Sequence, residues 1–209
     1  MVVAFVTTVL LAALQAPPAP KTAAEFLAQR IEERQAAARD LVARFVQTYR
    51  SGVLRRTLVE RGEVKVKRPG RMRWEYKDPE KKTFVSDGRR FFFYVPADKQ
   101  VVVREQDPAR SLPALLLSGR SGLLAEFEVA LEPGSPGRSR LKLTPRTPDP
   151  EIARVLLDVD GEHRIRVIEV VDAQGSTSVF EFDDIRENVG LPDAIFRFEV
   201  PRGVEVIAG

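Results

Sequence analysis

The chain contains no cysteine, a single histidine and a single tryptophan in 209 residues. Without a thiol there is no disulfide, no cysteine-ligated metal, no thiol nucleophile and no cysteine to carry a lipid anchor. If this chain is exported toward a membrane surface, it is therefore not expected to be a lipoprotein itself. The lone histidine, His163, follows an Asp160-Gly161 turn and has only Asp158, Asp160 and Glu162 nearby. That spacing lacks the remaining positions of a calcium loop, so no metal site is expected and His163 reads as a solvent-facing hairpin residue. Gly119-Arg120-Ser121-Gly122-Leu123 misses the final glycine of a nucleophile elbow. Asp183 and Asp184 are strand neighbours pointing to opposite faces, unsuited to a carboxylate dyad. Phosphate loop and dinucleotide fingerprint are both missing, so neither an enzyme nor a cofactor is expected.

Charge of one sign is scarce too. Lys and Arg total 33 against 30 Asp and Glu, a net charge of +3. Arg55-Arg56, Lys65 to Arg73 and Arg89-Arg90 are interleaved with apolar residues or followed by acids, the pattern of a solvated sheet face rather than a segregated basic stripe. Nucleic acid is not an expected partner. Long hydrophobic runs are missing as well. The uncharged stretch Val2 to Leu14 is too short to span a bilayer and matches the core of a signal peptide. Residues 1–20 read as an export leader with a Pro-rich end, and 22–209 as a single folded unit. A cut after Ala16 places Pro17 first, so the cleavage point stays open.

Thr22 followed by Glu25 forms a capping box, and Ala23, Leu27 and Ile31 repeat at helical spacing up to about Arg39. From Leu41 onward the period becomes that of strands. "LVARFVQTYR", "RTLVERGEVKVKR", "MRWEY", "KTFVSDG", "RRFFFYV" and "KQVVVRE" predict a six-stranded antiparallel meander, with Asp87-Gly88 as one hairpin turn. "DPARSLPALLLSGRSGLLAEF" interrupts it with short helical signals at Ser111, Pro113, Gly119 and Gly122. Five more strands follow, and "AIFRFEVPRGVEVI" closes the chain as an edge segment. The class is mainly β (α+β), a curved antiparallel sheet of about 11 strands whose open face needs helices as cover. In "VKRPGRMRWEY", Met72, Trp74 and Tyr76 share one strand face while Arg71, Arg73 and Glu75 share the other. One of those faces is dry.

Several segments, in order, resemble the LolA family of periplasmic lipoprotein carriers. They are the N-terminal amphipathic helix, "ARFVQTYR", "GEVKVKRPGRMRWEY", "FVSDGRRFFFYVP", "LPALLLSG" and "FEFDDIRENVGLPDAIFRFEVPRGVEVI". The resemblance implies an unclosed half-barrel whose hydrophobic concavity is lidded by the N-terminal helix and short lid helices. It also implies a periplasmic, monomeric carrier that takes acylated lipoproteins from an inner-membrane ABC transporter to an outer-membrane acceptor, a LolB-like lipoprotein for example. Under it, Met72, Trp74, Tyr76, Phe84, Phe91, Phe93, Leu115, Leu116 and Leu117 are expected to line the lipid-binding cavity. Arg68, the arginine of the K-R-P motif, is expected to latch the lid by donating to its backbone carbonyls. A regulatory domain of the same fold that senses lipids or lipoproteins is the alternative reading.

Overall fold

The computed structural model describes residues 20–54, 56–105, 117 and 122–208. Helix α1 (Ala23–Ala37) begins with the expected capping box. The Thr22 hydroxyl accepts from the Glu25 N–H at 3.2 Å, and the Glu25 carboxylate accepts from the Thr22 N–H at 2.6 Å. Its buried stripe is Ala24, Ala28, Ile31 and Gln35. Ala23, expected inward, is exposed and Leu27 is half-buried. The small side chains of Ala24 and Ala28 let the helix backbone lie close to its support, and packing distance, not hydrophobicity count, sets the rotation.

Strands β1 (Asp40–Arg50), β2 (Thr57–Lys67), β3 (Arg71–Asp78), β4 (Lys82–Asp87), β5 (Arg90–Val95) and β6 (Gln100–Glu105) form the antiparallel meander. After the short helix α2 (Leu123–Glu126), β7 (Phe127–Glu132), β8 (Ser139–Pro145), β9 (Arg154–Val159), β10 (Ile165–Val171) and β11 (Thr177–Glu187) form a second meander. β1 pairs with β11 and joins the two into one sheet, ordered β12-β6-β5-β4-β3-β2-β1-β11-β10-β9-β8-β7. The edges, β12 (Glu205–Ala208) and β7, do not meet, so the half-barrel is unclosed. It holds twelve strands: the C-terminal edge segment contributes the last, and that one runs parallel to β6.

The sheet is strongly bent. β3 and β11 are three strands apart, a separation of roughly 14 Å along the sheet. Yet the Trp74 ring lies 5.6 Å from that of Phe180 and 6.1 Å from that of Phe182. Side chains converge like this only on a concave face. That face, with Ala24, Ala28 and Ile31 of α1 and with Leu123 of α2, holds the main core.

Arg71, Arg73 and Glu75 do not form a freely solvated face, contrary to the sequence reading; each is only partly exposed. A one-turn 3-10 helix (Asp193–Phe196) lies over them. Arg71 pairs with Asp193 at 2.7 Å, and Arg73 bridges to Glu75 at 2.8 Å and to the Ile195 carbonyl at 3.3 Å. Farther along this convex side, Phe198 stacks on Phe92 at 5.3 Å over Val85 and Val101, making a second, smaller core.

Candidate functional site

Alternation brings the expected β3 residues together on the concave side. Met72, Trp74 and Tyr76 are buried there, with Trp74 6% exposed. Register extends the row sideways, since Trp74 faces Phe84 across β3–β4 and Phe84 faces Phe93 across β4–β5. Phe84 stacks on Phe93 at 4.4 Å and tilts against Phe91 at 5.8 Å. Phe45 meets Trp74 at 5.0 Å and Tyr76 at 4.9 Å, edge to face. Its ring reaches them over Gly62, where a Cβ would come within 2.7 Å of the Phe45 ring and 2.1 Å of the Glu75 carbonyl. A strand glycine here serves close approach. Phe84, Phe91 and Phe93 are half-buried, and Leu117 is buried in the main core. Leu115 and Leu116 lie outside the described residues, as do Ser111, Pro113 and Gly119.

Helix side chains occupy the concavity, and a cavity of about 30 Å³ lies beside it, bounded by Arg34, Arg68, Leu117, His163, Phe182 and Glu187 among others. Such a space suits water-sized molecules and falls far short of one acyl chain.

The Lys67-Arg68 corner ties both sides of the sheet. Consecutive residues point to opposite faces, so Lys67 reaches the convex side and Arg68 the concave one. Lys67 donates to the Leu191 carbonyl at 2.6 Å and pairs with Asp193 at 2.5 Å. The Arg68 guanidinium donates to the Ala38 carbonyl at the end of α1 and to the Leu117 carbonyl at 3.1 Å. Burial pushes the Arg68 pKa down, opposed by the charge of Glu187. The buried Nε atoms of Arg68 and Arg34 find no partner among the described residues. A buried donor left unpaired is costly, so the closed arrangement is held firmly at two carbonyls yet is incompletely satisfied.

Two further ties bind the cover and were not legible in the sequence. Glu32 of α1 accepts the Leu123 N–H at the start of α2, and Arg34 pairs with Glu187 of β11. Sequence reasoning also missed Asp40. Its buried carboxylate accepts from the N–H groups of Val189 at 2.7 Å, Gly190 at 3.1 Å and Leu191 at 3.0 Å. Nothing local signals a partner about 150 residues away in the chain.

Where the concave face runs out toward the β1–β2 hairpin, a polar belt replaces the aromatics. Tyr76 Oη donates to Gln47 Oε1 at 2.6 Å, Lys82 Nζ lies 4.4 Å above the Tyr76 ring, and Lys82 pairs with the buried Glu60 at 2.6 Å. Burial, then the Glu60 charge, pushes the Tyr76 phenol far above the usual tyrosine range. A raised folded-state pKa means the stability from the neutral phenol is present below about pH 10 and is lost as pH rises above it, because the unfolded chain ionises first. Wild-type protein should therefore lose stability through about pH 10 to 11 more steeply than Tyr76→Phe. Denaturant melts across that range check this, and parallel curves for the two proteins contradict it.

Two other sequence readings are corrected. His163 is only partly exposed; it takes a left-handed turn conformation (φ 61) and borders the small cavity. Asp183 and Asp184 are both exposed instead of facing opposite ways, because a register shift between β1 and β11 breaks the alternation and puts Asp184 at φ 46. They pair separately, with Arg44 at 2.8 Å and Arg186 at 3.8 Å. Among the described residues no three acidic or histidine side chains converge as metal ligands.

The family described as outer membrane lipoprotein carrier protein LolA matches residues 36–199. An outer-membrane lipoprotein carrier protein of Nitrosospira multiformis is 37% identical over 173 residues, covering 82% of this chain and 83% of that one. Another, from Dechloromonas aromatica, is 33% identical over 170 residues, covering 81% of each. Among solved structures, an uncharacterized conserved protein from Thermus thermophilus shares the fold with a TM-score of 0.59 at 14% identity, covering 90% of this chain and 100% of that one. With that match across most of its length and the unclosed aromatic-faced sheet, the chain belongs to the family of outer membrane lipoprotein carrier protein LolA.

Proposed function

We propose that the chain carries lipoproteins by sheltering their acyl chains between the concave sheet face and a displaced cover. It works in the periplasm, exported by its leader, and moves cargo from an inner-membrane ABC transporter to an outer-membrane acceptor. The observation that carries this reading is the nature of the cover. α1 and α2 pack on the main core of the concave face and are held by polar ties that include Arg68 to the Ala38 carbonyl, Glu32 to Leu123, Arg34 to Glu187 and Arg146 to the Leu124 carbonyl. A second sheet would close it for good; a tied helix can leave.

The need for such a shelter is physical. Each buried methylene is worth about 0.8 kcal/mol, so multiply acylated cargo cannot cross water unaided. Where α1 packs into the main core, acyl chains replace the contacts of Ala24, Ala28 and Ile31. One set of apolar contacts is exchanged for another, which keeps affinity modest and release feasible. Noncovalent exchange of this kind requires no catalytic group.

Phe84 and Phe93 suit a test because they are half-buried, so charges there can reach water in the empty protein. The double variant Phe84→Glu, Phe93→Glu is expected to fold and to recover roughly tenfold less acylated lipoprotein in a pull-down, or lower still, since carboxylates cannot be desolvated against acyl chains. Wild-type recovery by that folded variant would remove the assignment.

A further inference from the structure

The β1–β2 hairpin carries a feature that sheltering acyl chains does not explain. β2 pairs with β3 only from Arg61 onward, so Thr57 to Glu60 pair with β1 alone. At strand spacing this carries the hairpin about 13 Å past the end of β3. At its tip, Val53 is 74% exposed and Leu54 69% exposed, and just below them Tyr49 and Leu58 face each other, also exposed. The described residues of the tip are tied to one another and to the neighbouring turn. Ser51 N–H donates to the Arg56 carbonyl at 3.0 Å, Leu54 N–H donates to the Ser51 hydroxyl at 3.0 Å, and Gly52 packs against the β10–β11 turn, where a Cβ would come within 2.5 Å of the Gln174 carbonyl.

The apex is free on the β3 side and flanked by the β10–β11 turn on the other, so its two aliphatic side chains form a small exposed patch. Beside it, Arg50 and Arg56 are exposed and have no ion-pair partner among the described residues. We propose that this hairpin tip is a docking element for an anionic lipid bilayer, with Val53 and Leu54 entering the headgroup layer and Arg50 and Arg56 pairing with lipid phosphates. Tyr49 and Phe45 lie on the same side of β1, with the polar belt at Gln47 between the tip and the concave aromatic face. Its purpose rests on the carrier reading; its test does not.

The test is cosedimentation of the full chain with vesicles of phosphatidylethanolamine and phosphatidylglycerol, the latter at about a third of the lipid, and with pure phosphatidylcholine, at low salt. The expected result is binding to the anionic vesicles, roughly tenfold weaker for Val53→Ser, Leu54→Ser and also weakened for Arg50→Gln, Arg56→Gln. Added salt should weaken the wild type and leave the arginine variant nearly unchanged. Thermal melts check that the variants fold, and all should keep wild-type uptake of acylated lipoprotein, so a failure of docking is distinguishable from a failure of the carrier reading. No binding by wild type, equal binding by the serine variant, or loss of contact with a purified membrane protein while vesicle binding persists would each overturn the proposal.

Discussion

An Arg68→Leu protein is expected to hold acylated cargo about a hundredfold more tightly than wild type and to hand it on correspondingly poorly. Hydrogen bonds from a charged donor contribute about 1.5–3 kcal/mol each, and at the lower end the pair to Ala38 and Leu117 supplies roughly 3 kcal/mol to the closed form. On the proposed carrier reading, release of cargo ends in that closed form. Destabilising it therefore makes release less favourable by the same amount, roughly a factor of a hundred at about 1.4 kcal/mol per decade. Amide exchange reports the opening directly. Protection at Leu123 and across the last turn of α1 should fall by a similar factor, while β9 and β10 keep theirs.

Arg68→Lys separates fork geometry from charge. A lysine keeps the charge but reaches two carbonyls on different segments less well than a planar guanidinium, so an intermediate effect is expected. Handover from Arg68→Leu at the wild-type rate, measured to vesicles or to a purified acceptor, would show that closure does not depend on this residue.

The second large effect concerns Asp40. Asp40→Ala removes the acceptor for three backbone N–H groups in 189–191 and should cost about 3 kcal/mol, lowering the melting midpoint by roughly 6–12 °C for a chain of this size. The effect should spread along the C-terminal segment. Asn188 N–H donates to the Asp40 carbonyl at 2.8 Å, and the Asn188 side chain accepts from the Arg39 N–H at 2.8 Å, so this clasp sets where the chain leaves β11 for the convex face. Loosening it exposes Phe198 and the Phe92 cluster it covers. Asp40→Asn retains one acceptor oxygen and should lose about half as much. A midpoint for Asp40→Ala within about 2 °C of wild type, seen by scanning calorimetry, would contradict the proposed role of the clasp.

What was readable in the chain itself was local. The capping box of α1 spans Thr22 to Glu25, the strand alternation of Met72, Trp74 and Tyr76 spans five residues, and hairpin turns such as Asp87-Gly88 need only two. Such patterns sufficed for the strand inventory and the mainly β class, because secondary-structure periods and turn chemistry act over a few neighbours, whereas the family came from the resemblance of ordered motif segments. Only the tertiary structure shows what occupies the other parity of "RFFFYV". Phe91 and Phe93 join the concave row, whereas Phe92 and Tyr94 are claimed by Phe198 on the convex side, a competition no window around β5 contains. The carboxylate of Asp40 likewise waits for a loop at 189–191, and Arg68 for a carbonyl at Leu117. Burial and pairing of these groups depend on chain segments brought together by the bend of the sheet, and that bend is a property of twelve strands acting at once.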